Sequence, residues 1–246
     1  MTQTDRSNSS TTHTGAAKQI SHFALVLLVL LPISALGSRF GFWPYTLGLA
    51  LLAISLAGSL LIQIISALWL MRKPVDTTKR HLRRASLYAL PPLAIVATVL
   101  QSSTSAVVLH DITTDTLDPP QLVELLKERG ADSNSTLYSS AKANKQQQLY
   151  PELEHVKNSL TQQQNFDIAL ISAQAMGLRI VSSDAKQGRI EAVDTTFWFG
   201  FKDDVVIRCQ DFRVDLRSIS RVGRSDLGAN AKRIEQFIEI FQESST

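Results

Sequence analysis

Apolar positions fall into two regimes along the chain. Before about residue 105 they form long uninterrupted runs. After it they recur singly, at the spacings of amphipathic helices and alternating strands. Three charge-free runs dominate the first part: Ile20 to Ser38 (ISHFALVLLVLLPISALGS), Gly41 to Met71 and Ala85 to Leu109. A helix needs roughly 20 mostly apolar residues to cross about 30 Å of hydrocarbon. Each run meets that length, so the pattern predicts three transmembrane helices, at about 20–38, 43–70 and 85–104. A cleaved signal peptide is the alternative for the first. SALGS offers small residues for cleavage, but the long polar leader favours a retained helix. Residues 1–19 are polar and read as disordered. Pro91-Pro92 predict a kink in the third run.

In the second part, AVVLHDITTD reads as extended and DPPQLVELLKERG as a helix capped by Asp118 and ended by Gly130. ADSNSTLYSSAKANKQQQLYP reads as a polar surface loop. TQQQNFDIALISAQAMG reads as a helix opened by a Thr161/Gln164 capping box, with Phe166, Ala169, Leu170, Ala173 and Met176 on one face. Four strands follow, Leu178–Ser182, Arg189–Phe201, Asp204–Cys209 and Phe212–Ser220. Their short links favour an antiparallel meander. A last helix is expected from about Asp226 to Glu243, its stripe Leu227, Ala231, Ile234, Phe237, Ile238 and Phe241. The fold class is therefore α+β, an antiparallel sheet of about four to five strands packed by helices, over about 106–246.

Charge divides at the same place. Residues 1–104 carry nine Lys/Arg against two acids, and the remainder sixteen against twenty. The overall +3 belongs to the apolar half and gives no argument for nucleic-acid binding. Six of the nine bases lie in RKPVDTTKRHLRR, Arg72 to Arg84, between two apolar runs. The positive-inside bias places this loop and the N-terminus in the cytoplasm. The domain after the third span then lies outside, which in a bacterium with two membranes is the periplasm. Binding of anionic lipid by this loop is a sharper reading of the same charges. In LAISLAGSLL, Ala53, Ala57 and Gly58 suggest a small-residue packing face.

LHDITTDTLDPP, MGLRIVSSDAKQGRIEAVDTTFWFGFKDDVVIR and VDLRSISRVGRSDLGANAKRI resemble, in order, the motifs of the domain-of-unknown-function family 1499, over about residues 107–241. The resemblance implies no activity and no site residues.

Candidate chemistry centres on RSISRVGRSDLGAN, Arg217 to Asn230. Alternation puts Phe212, Val214 and Leu216 toward the helices and Arg213, Asp215 and Arg217 on the opposite, solvated face. At Ser218–Ser220 the alternation fails, predicting a bulge or a strand end. Ser225 suits an N-cap, and free N–H groups beside Arg221 and Arg224 suit an anion. Arg217, Arg221, Arg224 and Ser225 are thus the candidate ligand contacts. Phe197, Phe199 and Phe201 read as core and Trp198 as exposed. His110, Asp111, Asp115 and Asp118 invite a metal, but a strand would hold Asp111 and Asp115 about 13 Å apart. No metal site, cofactor or catalytic residue is assigned. Cys209 reads as a buried, inert thiol. The sequence therefore suggests an uncharacterised multi-pass inner-membrane protein with a non-enzymatic periplasmic binding module. Its expected partners are the lipid bilayer and an envelope protein or small anion. The alternatives are an envelope hydrolase using His110 or His155, or a subunit of a membrane assembly.

Overall fold

The computed structural model describes residues 3–103 and 109–245. The chain forms two compact units, Met1–Thr104 with Phe197–Gly200, and Ser105–Thr196 with Phe201–Thr246.

The first unit packs three helices, α1 (Gln3–Arg39), α2 (Tyr45–Met71) and α3 (Asp76–Ser103). The polar leader expected to be disordered is helical from Gln3. Thr14 of α1 hydrogen-bonds Thr78 of α3 at 3.0 Å, and His13 stacks edge-on against Trp69 of α2. The start of α1, the end of α2 and the start of α3 therefore share one end of the unit. Ala24, Ile62, Ala85 and Ala89 pack between the helices. The face α2 buries is Gly48, Ser55, Ser59, Ile62 and Ser66, whereas Ala53 and Ala57 point outward. Ser55 replaces them in close packing by donating to the Leu27 carbonyl at 2.7 Å.

Among the described residues two helices, not three, are long and apolar enough to cross a membrane: His13–Arg39 and Tyr45–Met71. α3 starts within the basic stretch, ahead of the third expected span. Lys79, Arg80, Arg83 and Arg84 occupy its first turns, and Pro91 and Pro92 lie inside it. The end of the third apolar run, 104–108, lies outside the described residues.

The second unit is an α+β fold. Its elements are β1 (Asp111–Thr113), α4 (Ser140–Leu149), β2 (Val156–Lys157), α5 (Gln162–Ala175), β3 (Arg179–Asp184), β4 (Arg189–Thr195), β5 (Lys202–Gln210), β6 (Arg213–Ser220) and α6 (Ala229–Ser244). The six strands are antiparallel in the order β1-β6-β5-β4-β3, with β2 also on β6. The β3 to β6 meander follows the sequence pattern. The two short strands divide the free edge of β6: β1 pairs Arg217–Ile219 and β2 pairs Arg213–Val214.

One sheet face carries Val205, Ile207, Cys209, Val214 and Leu216, packed on Phe166, Ala169 and Ala173 of α5 and on Ala231, Ile234, Phe237 and Phe241 of α6. The Thr161/Gln164 capping box forms as its spacing predicts. The opposite face is also covered. Leu122 and Leu125 seal Val193, Val206 and Ile219 beneath an irregular strap, residues 114–138.

Three local expectations change. DPPQLVELLKERG makes only one 3₁₀ turn, Leu125–Glu128, because its N–H groups are taken by the Glu191 carboxylate of β4 rather than by a helical ladder. The expected polar loop contains α4. Its buried residue is Gln146, which accepts from the Thr113 N–H at 3.0 Å and donates to the Thr113 carbonyl at 2.6 Å. A helix held by a glutamine has no apolar stripe to announce it. FWFGF is not strand and core. β4 stops at Thr195, Thr196 N–H donates to the Phe201 carbonyl across a turn, and Gly200 adopts φ 68°. Phe197 is 67% exposed, edge-on to Trp198, which is exposed as expected.

Candidate functional site

The sheet face under the strap is an arginine–carboxylate lattice. Register places Arg189, Glu191 and Val193 beside Arg208, Val206 and Asp204, and these beside Asp215, Arg217 and Ile219. Arg208 thus faces Asp215, its opposite charge, on one side and Arg189 on the other, while Glu191 and Arg217 flank Val206 and Asp204 lies between Val193 and Ile219. The alternation in β6 is real, but the charged side is not solvated. Asp215 and Arg217 are both fully buried.

Arg217 donates Nε and Nη2 to the two Asp111 oxygens, each at 2.9 Å. It also donates to the carbonyls of Pro120 and Thr136 and lies over the Tyr138 ring. Lys142 completes the neutralisation of Asp111 at 3.0 Å. Arg221 donates to Asp204 through Nε and Nη2, at 2.9 and 2.7 Å, and to the carbonyl and carboxylate of Glu128. Arg129 pairs with the other Asp204 oxygen. Glu191 accepts from the N–H groups of Val123, Glu124 and Leu125 and pairs with Arg189 at 3.2 Å. Ion pairs taken out of water hold together only when hydrogen bonds satisfy them this fully.

RSISRVGRSDLGAN is therefore dispersed by the fold. Arg217 and Arg221 point inward under the strap, donating to its Pro120, Thr136 and Glu128 as well as to Asp111 and Asp204. Arg224 is exposed and has no partner among the described residues. Ser225 is half-buried, and its hydroxyl accepts from the Leu227 N–H rather than capping the helix. The cap is the Asp226 carboxylate, which accepts from Gly228 and Asn230 N–H at 2.9 Å each. The positive end of α6 already holds an anion, its own. The strand ends at Ser220 without a bulge in the β5–β6 register. The inward serines are satisfied from α6: Ser218 donates to Asn230 Oδ1, and Asn230 Nδ2 donates to Ser220 Oγ. Arg233 joins this group and reaches Asp194 and Asp203, at 2.6 and 2.7 Å. Asn230 and Arg233 were missed because they interrupt an apolar helix stripe whose periodicity drew attention elsewhere.

The lattice opens to solvent at one corner, in a cavity of about 460 Å³. Its walls are the Thr114–Asp118 turn, Gln146 and Gln147 of α4, the segment 150–157 and Arg213. The chain does turn at Asp115, whose Oδ1 accepts from Leu117 and Asp118 N–H. The acids thus gathered are paired with arginines. Arg208 binds Asp115, Asp118 and Asp215, and Arg213 binds Asp115 and Asp215. Burial opposes ionisation of Asp115, but the Asp118 and Leu117 N–H groups and the charges of Arg213 and Arg208 outweigh it and hold its carboxyl below the usual range.

His155 lines the same cavity. Partial burial and the Arg213 charge hold its imidazole below the ordinary histidine value, so it is neutral at pH 7. Among the described residues, the imidazole and Arg213 Nη1 have no hydrogen-bond partner, and neither serine nor cysteine lines the cavity. Cys209 lies under α5 and α6, its thiol pushed up to about 12 by burial and then by Asp215. Among the described residues no cluster of three or more His, Cys, Asp or Glu is placed to hold a metal ion.

The fold and this corner define an α+β domain built on a buried ionic sheet face, following a helical unit with two membrane-length apolar helices. A family model described as protein of unknown function, DUF1499, matches residues 111–241. That span exceeds half of the chain and takes in nearly all of the α+β unit. The chain belongs to the DUF1499 family. No curated protein matches it.

Proposed function

We propose that this is a multi-pass inner-membrane protein whose periplasmic α+β domain is a non-catalytic binding module for a small anionic ligand, held in the Asp115–His155–Arg213 cavity. One observation carries the ligand reading. The lining carboxylates Asp115 and Asp118 are already neutralised by arginines, whereas the His155 imidazole and Arg213 Nη1 remain uncommitted. Lys157 adds a cation at the rim, loosely paired with Glu154 at 3.6 Å. The spare capacity is for donating hydrogen bonds, which suits a carboxylate or phosphate. The volume suits a small molecule. Arg217 and Arg221 enter this reading as supports of the fold, and Arg224 as a surface contact.

The anchoring reading rests on α1 and α2, which have the length and composition of spans. α3 packs along both from its basic first turns to Ala89, which supports a third passage returning the chain to the far side. The cluster of bases at its start favours the cytoplasmic side for that end.

The test is an NMR titration of the full-length protein in detergent micelles with inorganic phosphate and with acetate. Binding raises the His155 titration midpoint, and His155→Ala with Lys157→Ala weakens the affinity about tenfold, or roughly 1.4 kcal/mol. No response of His155 to either anion at tens of millimolar would sink the ligand reading.

A further inference from the structure

The first turns of α3 carry a second, separate site. Arg80, Arg83, Arg84 and Leu87 stand at i, i+3, i+4 and i+7 on one face of the helix. With Asp76 and Lys79 they line a groove of about 510 Å³. Asp76 is the groove's acid, and Lys79 takes it at 3.2 Å. Arg80, Arg83 and Arg84 are left with no partner among the described residues, the reverse of the arginines in the sheet lattice. Toward the C-terminal end the same face turns apolar: Leu87 is 61% exposed and Leu90 50%. Three uncommitted guanidinium groups thus stand directly above open apolar side chains.

We propose that this groove binds the headgroup of an anionic phospholipid of the cytoplasmic leaflet. The phosphate lies on Arg80, Arg83 and Arg84, and an acyl chain runs along Leu87 and Leu90. Guanidinium groups bind phosphate in a bidentate manner. A free phosphate or a nucleic acid would satisfy the arginines but gain nothing from the leucines. A phospholipid satisfies both at the spacing of one helical turn. The site rests on the anchoring part of the proposed function and is independent of the sheet-domain cavity.

The experiment uses the full-length protein, mixed with vesicles of phosphatidylcholine alone or with one fifth phosphatidylglycerol, and then examined for bound lipid by native mass spectrometry. Flotation with both vesicle types is expected. Among retained lipids, phosphatidylglycerol should be enriched at least about fivefold over its share. The Arg80→Gln, Arg83→Gln, Arg84→Gln variant should lose that enrichment and still float. A control carrying Lys127→Gln, Lys186→Gln and Lys232→Gln, also three charges fewer, should keep it. Failure to float overturns the anchoring. Flotation with equal enrichment in the arginine variant, or equal loss in the control, overturns the site alone. Displacement of the lipid by 1 mM inorganic phosphate at constant ionic strength shows a free-phosphate site and overturns the lipid assignment.

Discussion

His155 and Glu191 show how differently two ionisable side chains of one domain are used. His155 is held neutral by burial and by Arg213, so the folded state binds its proton less readily than the unfolded chain does. Its contribution to stability is therefore complete above the unfolded value near 6.5 and is lost as pH falls through that value toward the lower folded one. An NMR titration should place the midpoint below 6.5, and an anion in the cavity should move it up. Ligand affinity should accordingly rise as the pH falls from 7.5 to 5.5. Glu191 is fully buried and holds three backbone N–H groups as well as Arg189. Glu191→Ala leaves those donors unsatisfied and should cost about 3–5 kcal/mol in urea unfolding of the domain. Glu191→Gln, which can still accept, should cost less. In a cycle of Asp204→Ala and Arg221→Ala, the double variant should be less destabilised than the sum of the singles, since each alone leaves the other buried charge with one partner fewer.

Elements whose own residues carried their signal were legible in the sequence. The Thr161/Gln164 box and the Phe166–Ala173 face are α5, and the alternation of β5 and β6 with their short turn is the centre of the meander. Elements set by distant partners were not. DPPQLVELLKERG, the middle of the strap, reads as a helix from its leucines, but Glu191 and Arg217, far along the chain, take the groups a helix would use. α4 is anchored by Gln146 and Tyr138, which no hydrophobic pattern reveals. The candidate site was legible in its residue types only. The arginines were noticed, but which of them face inward depends on a strap that the periodicity assigned to a helix. Two local devices can be tested at this scale. Gly188 closes the β3–β4 hairpin at φ 61°, and a Cβ there would sit 2.1 Å from the Cys209 carbonyl. Gly188→Ala should destabilise by more than about 1 kcal/mol in thermal unfolding. Asp226→Ala should cost about 1 kcal/mol by uncapping α6.

For the whole molecule, the uneven charge matches a division of labour. The helical unit gathers Lys79, Arg80, Arg83 and Arg84 at the start of α3, the three arginines exposed and without a partner among the described residues, while the α+β unit encloses most of its arginines with acids. The proposed topology is open to labelling, because the one cysteine, Cys209, is buried and silent. A thiol introduced by Lys186→Cys should react with a membrane-impermeant maleimide in cells with a permeabilised outer membrane. One introduced by Arg72→Cys should react only after the inner membrane is opened. The opposite pattern would place the domain in the cytoplasm.

The interlocked charges of the sheet face also restrict how this sequence can drift. A buried carboxylate shared by two bases, as Asp204 is by Arg129 and Arg221, offers no single-step route to an apolar replacement. The first change strands a charge, and only later ones relieve it. Neutral paths through this face therefore run by concerted exchange of whole clusters. The exposed arginines of α3, which answer to no side chain among the described residues, can change one at a time under selection by whatever lipid they meet.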